Sequence, residues 1–130
     1  MKTISLELEQ FKQACGSYPA KMEAMTVCGN DTNSTLEKYI PEIAQYNFSD
    51  STNPYYISYA PFSVSPSDDP MCVAFHLGIT LKSKTTGIFA NGDSNVNSAT
   101  DPNFPYVPCP DSLGTTINGT DEYTYDIFKQ

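Results

Sequence analysis

The sequence predicts an α+β fold: an N-terminal α-helix packed on a small antiparallel β-sheet, with a long C-terminal loop region. Three observations carry this. Ile4, Leu8, Phe11 and Cys15 recur at i, i+4, i+7 and i+11, so at about 100° per residue they share one narrow helix face. From Met71 to Leu81, the apolar Met71, Val73, Phe75, Leu77, Ile79 and Leu81 alternate strictly with Cys72, Ala74, His76, Gly78 and Thr80. Gly87 to Gly119 then holds five Asn, three Asp, four Pro and four Gly, a composition that reads as loop.

The elements follow in order. The first helix spans residues 3–16. Gly16 can adopt the left-handed conformation that ends a helix, and Pro19 cannot continue one. Its start carries no clear capping box, with Thr3 the nearest candidate. Leu6 lies roughly opposite the apolar face. Ala20 to Met25 is expected to form a helical turn or two, with Met22 and Met25 inward, and Cys28 to Ser34 a polar loop. Thr35 can cap a short helix from Leu36, and Pro41 limits it to one turn ending near Tyr39, with an extended continuation. Tyr46 to Pro54 reads as a second polar loop and Tyr55 to Ala60 as a strand. Pro61 to Pro70, with Asp68-Asp69, reads as a hairpin-type connection. A strand from Met71 to Leu81 and a final strand from Tyr123 to Phe128 complete the sheet.

At 130 residues the chain is read as one domain, 1–130, long enough to bury about two thirds of its unfolded surface. No apolar run reaches the roughly 20 residues that span a bilayer. The start does not read as a signal peptide either. A net charge of −8 disfavours nucleic acid, since a polyanion needs a basic surface. The four cysteines, Cys15, Cys28, Cys72 and Cys109, contain no CxxC, and His76 is the sole histidine, which disfavours zinc. An even count in a chain rich in Ser, Thr, Asn, Gly and Pro favours two disulfides in an oxidising compartment over four buried thiols. Three pairings are possible. Cys15–Cys28 with Cys72–Cys109 is favoured, tying the helix end to the next loop and a strand to the late loop.

Asp93-Ser94-Asn95-Val96-Asn97 places oxygen ligands at alternate positions, as the opening half of a calcium loop does. Its second half departs: Ser98 stands where the turn glycine would be and Phe104 where the bidentate Glu would be, which excludes an EF-hand. A site completed from elsewhere would draw on Asp101, Asp121 or Asp126, against the alternative of a solvated Asn/Asp turn. His76 reads as a hydrogen-bonded surface or core residue rather than a catalytic one. No Gly-x-Ser-x-Gly or glycine-rich phosphate loop occurs, so an enzyme is not expected. Four Asn-x-Ser/Thr sequons, at Asn30, Asn33, Asn47 and Asn118, mark surface loops.

Several pieces together resemble one family. The segment Leu8-x-x-Phe11, followed by Gly16-x-Tyr18-Pro19, is similar to the point where type IV pilins and type II secretion pseudopilins leave their long N-terminal helix. Leu36-x-x-Tyr39-Ile40-Pro41-x-Ile43 resembles the short helix before the family's sheet, and Tyr55 to Tyr59 its first strand. Met71 to Leu81 resembles the second strand, and Gly119-Thr120-Asp121-x-Tyr123-x-Tyr125-Asp126-Ile127 a common C-terminus. The family's leader and apolar helix are absent from this sequence, and Asn53-Pro54 is the nearest match to its Asp-Pro before the first strand.

The resemblance implies a pilin-like head: a structural subunit, not an enzyme, whose partners are other pilin or pseudopilin subunits in a filament. The implied location is an extracellular or periplasmic filament, with membrane anchoring before assembly through an apolar helix outside this sequence. On that view the chain is either a piece of a longer precursor or a head encoded apart from its helix. Major pseudopilins bind calcium in the loop before the C-terminus, which implies Asp93, Asn95 and Asp121 as ligands here. Leu6 becomes the expected contact to a neighbouring subunit. The rival expectation is a secreted, disulfide-stabilised binding module, adhesin- or inhibitor-like.

Overall fold

Helix α1 (Lys2–Cys15) is the N-terminal element of the computed structural model, which describes residues 1–28, 31–64, 72–81, 93–109, 117–121 and 123–130. Ile4, Leu8 and Phe11 are buried along one face, as their spacing requires. Gly16 ends the helix at φ 86°, where a side chain would be strained, and its N–H bonds back to the Lys12 carbonyl. No side chain caps the start. The chain then turns onto the sheet. Tyr18 donates its N–H to the Cys72 carbonyl at 2.9 Å and stacks edge-on against Phe75. The Lys12 ammonium sits 4.7 Å from the centre of the Tyr18 ring.

The sheet has four antiparallel strands in the order β5-β3-β4-β6, formed by β3 (Ser58–Ser63), β4 (Ala74–Thr80), β5 (Val107–Pro108) and β6 (Thr124–Lys129). A separate ribbon pairs β1 (Val27–Cys28) with β2 (Asp31–Thr35). Strand β4 is central: Leu77 faces Ile127 on β6, and Tyr59 faces Leu77 from β3. Phe75, Leu77 and Tyr59 join Ile4, Leu8 and Phe11 in the main core, so α1 covers one sheet face. Both disulfides form in the favoured pairing: Cys15–Cys28 links the end of α1 to β1, and Cys72–Cys109 links the approach to β4 to the end of β5.

The small and polar face of β4, bearing Ala74, His76 and Gly78, is buried as well. Ala74 packs with Ala60, Phe62 and Ile117 in a second cluster, flanked by Phe104, Tyr106 and Phe128, so the late loop forms a second layer. Several expectations need correcting. Cys28 to Ser34 includes a β-ribbon in place of a polar loop, continued by the Leu36 N–H bonding to the Thr26 carbonyl at 2.7 Å. Ala20 to Met25 forms no helix, and Met25 is exposed. After the 3-10 turn at Leu36–Lys38 the chain makes a second 3-10 turn at Ile43–Gln45, with Pro41 between them, in place of an extended segment. Strand β3 starts three residues later than expected and runs through Pro61, whose carbonyl accepts the Cys109 N–H at 3.0 Å. Within the expected loop, Val107–Pro108 pairs as an edge strand, where proline is tolerated. Asp68-Asp69, Met71 and residues 82–92 and 110–116 lie outside the described residues.

Candidate functional site

The most concentrated polar chemistry lies between the sheet and the late loop. On β4 and β6, the pairs His76–Phe128 and Gly78–Asp126 are directly opposite. Asp126 is thus a diagonal neighbour of His76, within reach for side chains on one face. His76 Nε2 lies 2.7 Å from Asp126 Oδ2, and its Nδ1 lies 2.9 Å from Ser98 Oγ. His76 and Asp126 are 0% exposed, and Ser98 is also buried.

The loop is built around the Asp126 carboxylate. The N–H groups of Asn95 and Val96 donate to its two oxygens at 2.9 and 3.2 Å. Asn95 adopts φ 50°, a left-handed conformation that asparagine tolerates better than most residues. Asp93 Oδ1 accepts the Asp126 N–H at 3.0 Å, and Ser94 Oγ accepts the Phe128 N–H at 3.0 Å. Gly119 closes the other side: a Cβ there would stand within 2.5 Å of both carboxylate oxygens of Asp126. Burial alone would raise the Asp126 pKa, but hydrogen bonds from His76, Asp93 and the Val96 N–H outweigh it and hold the carboxyl below its ordinary range. Asp93 moves the other way, pushed up by burial and then by its hydrogen bond to Asp126.

A Ser–His–Asp chain invites comparison with nucleophilic catalysis, and the geometry differs from it in two ways. In a hydrolytic triad the carboxylate orients Nδ1 and the serine meets Nε2; here the two nitrogens are exchanged. Ser98 Oγ is also committed to the backbone, accepting the Ile117 N–H at 3.0 Å and facing the Ile117 carbonyl at 3.2 Å. What the arrangement does is clamp: it ties β4, β6, the 93–98 loop and Ile117 into one buried network. The sequence marks His76 as a hydrogen-bonded surface or core residue, and the structure makes it the core one and supplies its partners. Ser98 was read as a misfit in a calcium loop and Asp126 as a remote ligand. The usable signal was Asp126 itself, an acid on the same face of its strand as Phe128.

The expected calcium residues are only partly assembled. Asp93 reaches Asp126 with its carboxylate and Asn95 with its backbone N–H, whereas Asp121 is exposed and caps the Tyr123 N–H at 2.8 Å in the following turn. Among the described residues no three His, Cys, Asp or Glu side chains form a metal-holding group. Leu6 is 61% exposed and borders a shallow groove with Ser5, Glu9, Ser94 and Phe128. Of the sequons, Asn47 and Asn118 use their side-chain oxygens to accept backbone N–H groups in local turns, and Asn30 lies outside the described residues.

No family model, curated protein or solved structure matches this chain. Among the described residues no helix is long and apolar enough to cross a membrane.

Proposed function

We propose that the chain is the head domain of a type IV pilin-like or pseudopilin-like filament subunit. One observation carries this reading. Helix α1 buries Ile4, Leu8 and Phe11 in the core it shares with the antiparallel sheet, yet holds Leu6 in solvent on its other side. A helix committed to its own sheet on one face and presenting an apolar residue on the other suits lateral packing between copies. The turn at Gly16, Tyr18 and Pro19 supports the reading by delivering the chain from helix to sheet, where the Pro19 carbonyl accepts the Tyr59 hydroxyl at 2.7 Å.

The test is a photo-crosslinking residue at position 6 in the cells that make the protein. A ladder of crosslinked copies in sheared surface filaments is the expected result. Exclusively monomeric product, with the protein present at the surface, overturns the reading.

Calcium binding at the late loop belongs to the same proposal. Asp93 and Asp126 would supply carboxylates, Asn95 an amide oxygen, and Asp121 would have to turn inward from its present cap. Melting in calcium and in chelator tests it, because a ligand at about 100 times its dissociation constant stabilises by about 2.7 kcal/mol. An unchanged midpoint removes calcium from the proposal.

A further inference from the structure

A second region has the shape and chemistry of a ligand site. A groove of about 740 Å³ runs between the 45–57 loop and the end of β4, a volume within the usual range for small-ligand sites. Among the described residues, none of the twelve that line it has a charged side chain, and the Met1 ammonium at one end is the charge they carry, in a molecule with fifteen acidic and seven basic residues. Three of the twelve are tyrosines: Tyr46, Tyr55 and Tyr56. Tyr55 is 82% exposed, so its ring stands open to a ligand at the groove's rim.

The rim is preformed rather than loose. Asn53 Oδ1 accepts the Tyr55 N–H at 2.9 Å, and the Asn53 carbonyl accepts the Tyr56 N–H at 3.0 Å. The Asn47 carbonyl accepts the Ile57 N–H at 2.7 Å, while its side chain bonds the Ser49 and Asp50 N–H groups. The tyrosines are therefore presented on a fixed backbone, which lowers the ordering cost of binding.

We propose that this groove binds an uncharged saccharide of two or three rings. Tyrosine faces can take the C–H faces of sugar rings, and the Gln45 amide, the Asn53 amide nitrogen and the tyrosine hydroxyls can pair with sugar hydroxyls. Among the described lining residues a cationic ligand would find no carboxylate, and an anionic one would find only the Met1 ammonium at one end. A purely apolar one would leave these polar groups desolvated and unpaired. The inference does not rest on the filament reading, since the groove uses none of the residues beside Leu6.

The test applies the purified chain, made in a host that adds no N-glycans, to an array of neutral glucose-, galactose-, mannose- and N-acetylglucosamine-terminated glycans, with sialylated and sulfated glycans alongside. Hits are then titrated calorimetrically as free oligosaccharides. Neutral hits are expected, with binding about tenfold weaker in Tyr55→Ala, equivalent to about 1.4 kcal/mol, and an unchanged melting midpoint. Gln45→Ala provides the same comparison if Tyr55→Ala fails to fold. Absence of neutral hits, preference for acidic glycans, or full binding by the folded variants overturns the proposal. Crosslinking at position 6 is unaffected by any of these outcomes, so the two readings fail separately.

Discussion

His76 sits with a buried carboxylate on one ring nitrogen and a buried hydroxyl near the other, and none of the three can lose its partner cheaply. His76→Ala would strand Asp126, with its hydrogen bonds from the loop but no imidazole. Breaking a buried pair in this way costs about 3–5 kcal/mol. Urea unfolding is expected to show a loss of that order, and a loss within ordinary surface-mutation scatter would refute the clamp. The two carboxyls beside it carry opposite pH signatures. Asp126 has a lowered pKa, so its contribution is present above the ordinary carboxylate range and lost as pH falls below it. Asp93 has a raised pKa, so its contribution is full below that range and fades as pH rises. Asp93→Asn keeps an acceptor for the Asp126 N–H and offers an N–H to the carboxylate without a charge. The variant is therefore expected to melt above the native chain at pH 7 and to lose that advantage near pH 4. A pH-independent difference would contradict the assignment. If calcium binds here, the same substitution abolishes the calcium-dependent gain, which separates the two roles of Asp93. The sequence could mark His76 as a hydrogen-bonded residue but not decide between surface and core, because its partners stand 22 and 50 positions away and only the folded sheet and loop bring them together.

Elements became legible where one local rule acted alone. The helical spacing of Ile4, Leu8 and Phe11 and the glycine stop had no competitor, and α1 spans Lys2–Cys15 as that pattern requires. The alternation through Phe75 and Leu77 likewise marked β4. Errors arose where two signals competed. Tyr55 and Tyr56 have strand composition, but Asn53 takes the following N–H groups into a turn, so β3 begins only at Ser58. The late loop looked structureless because its order comes from side-chain bonds to Asp126 and Ile117 and from a disulfide, not from a repeating pattern. That disulfide gives an element-scale prediction. Cys72–Cys109 closes 37 residues and Cys15–Cys28 closes 13. Loop entropy assigns them about 4 and about 3 kcal/mol respectively. Replacing the longer-range pair with serines is expected to be the more costly change by chemical denaturation, and the reverse order would contradict the chain-entropy account. Gly119→Ala tests the loop from its other side. Its Cβ meets a carboxylate already fixed by His76 and two backbone N–H groups, so a cost of about 1–3 kcal/mol is expected.

For the whole molecule, the question is whether one copy can pack against another despite a charge of −8 on each. Like-charged heads repel, though at physiological ionic strength the repulsion is screened beyond about 8 Å. Close packing therefore needs apolar contact, and Leu6 is the residue α1 offers for it. Leu6→Lys is a sharp test because charge and contact predict opposite outcomes. The new lysine is a good helix former, has Glu9 three residues on, and raises the net charge to −7, one unit from −8, which weakens repulsion between copies. If net charge governed assembly, the variant would assemble as well as the native chain or better. If the Leu6 contact governs it, filaments are lost while the melting midpoint stays where it was, since a surface change of this kind shifts stability by no more than about 0.5 kcal/mol. Filament yield by shearing and electron microscopy, read beside a thermal melt of the purified variant, separates the cases. A variant that assembles normally rejects Leu6 as the contact, and one that unfolds places Leu6 in the fold rather than at its surface.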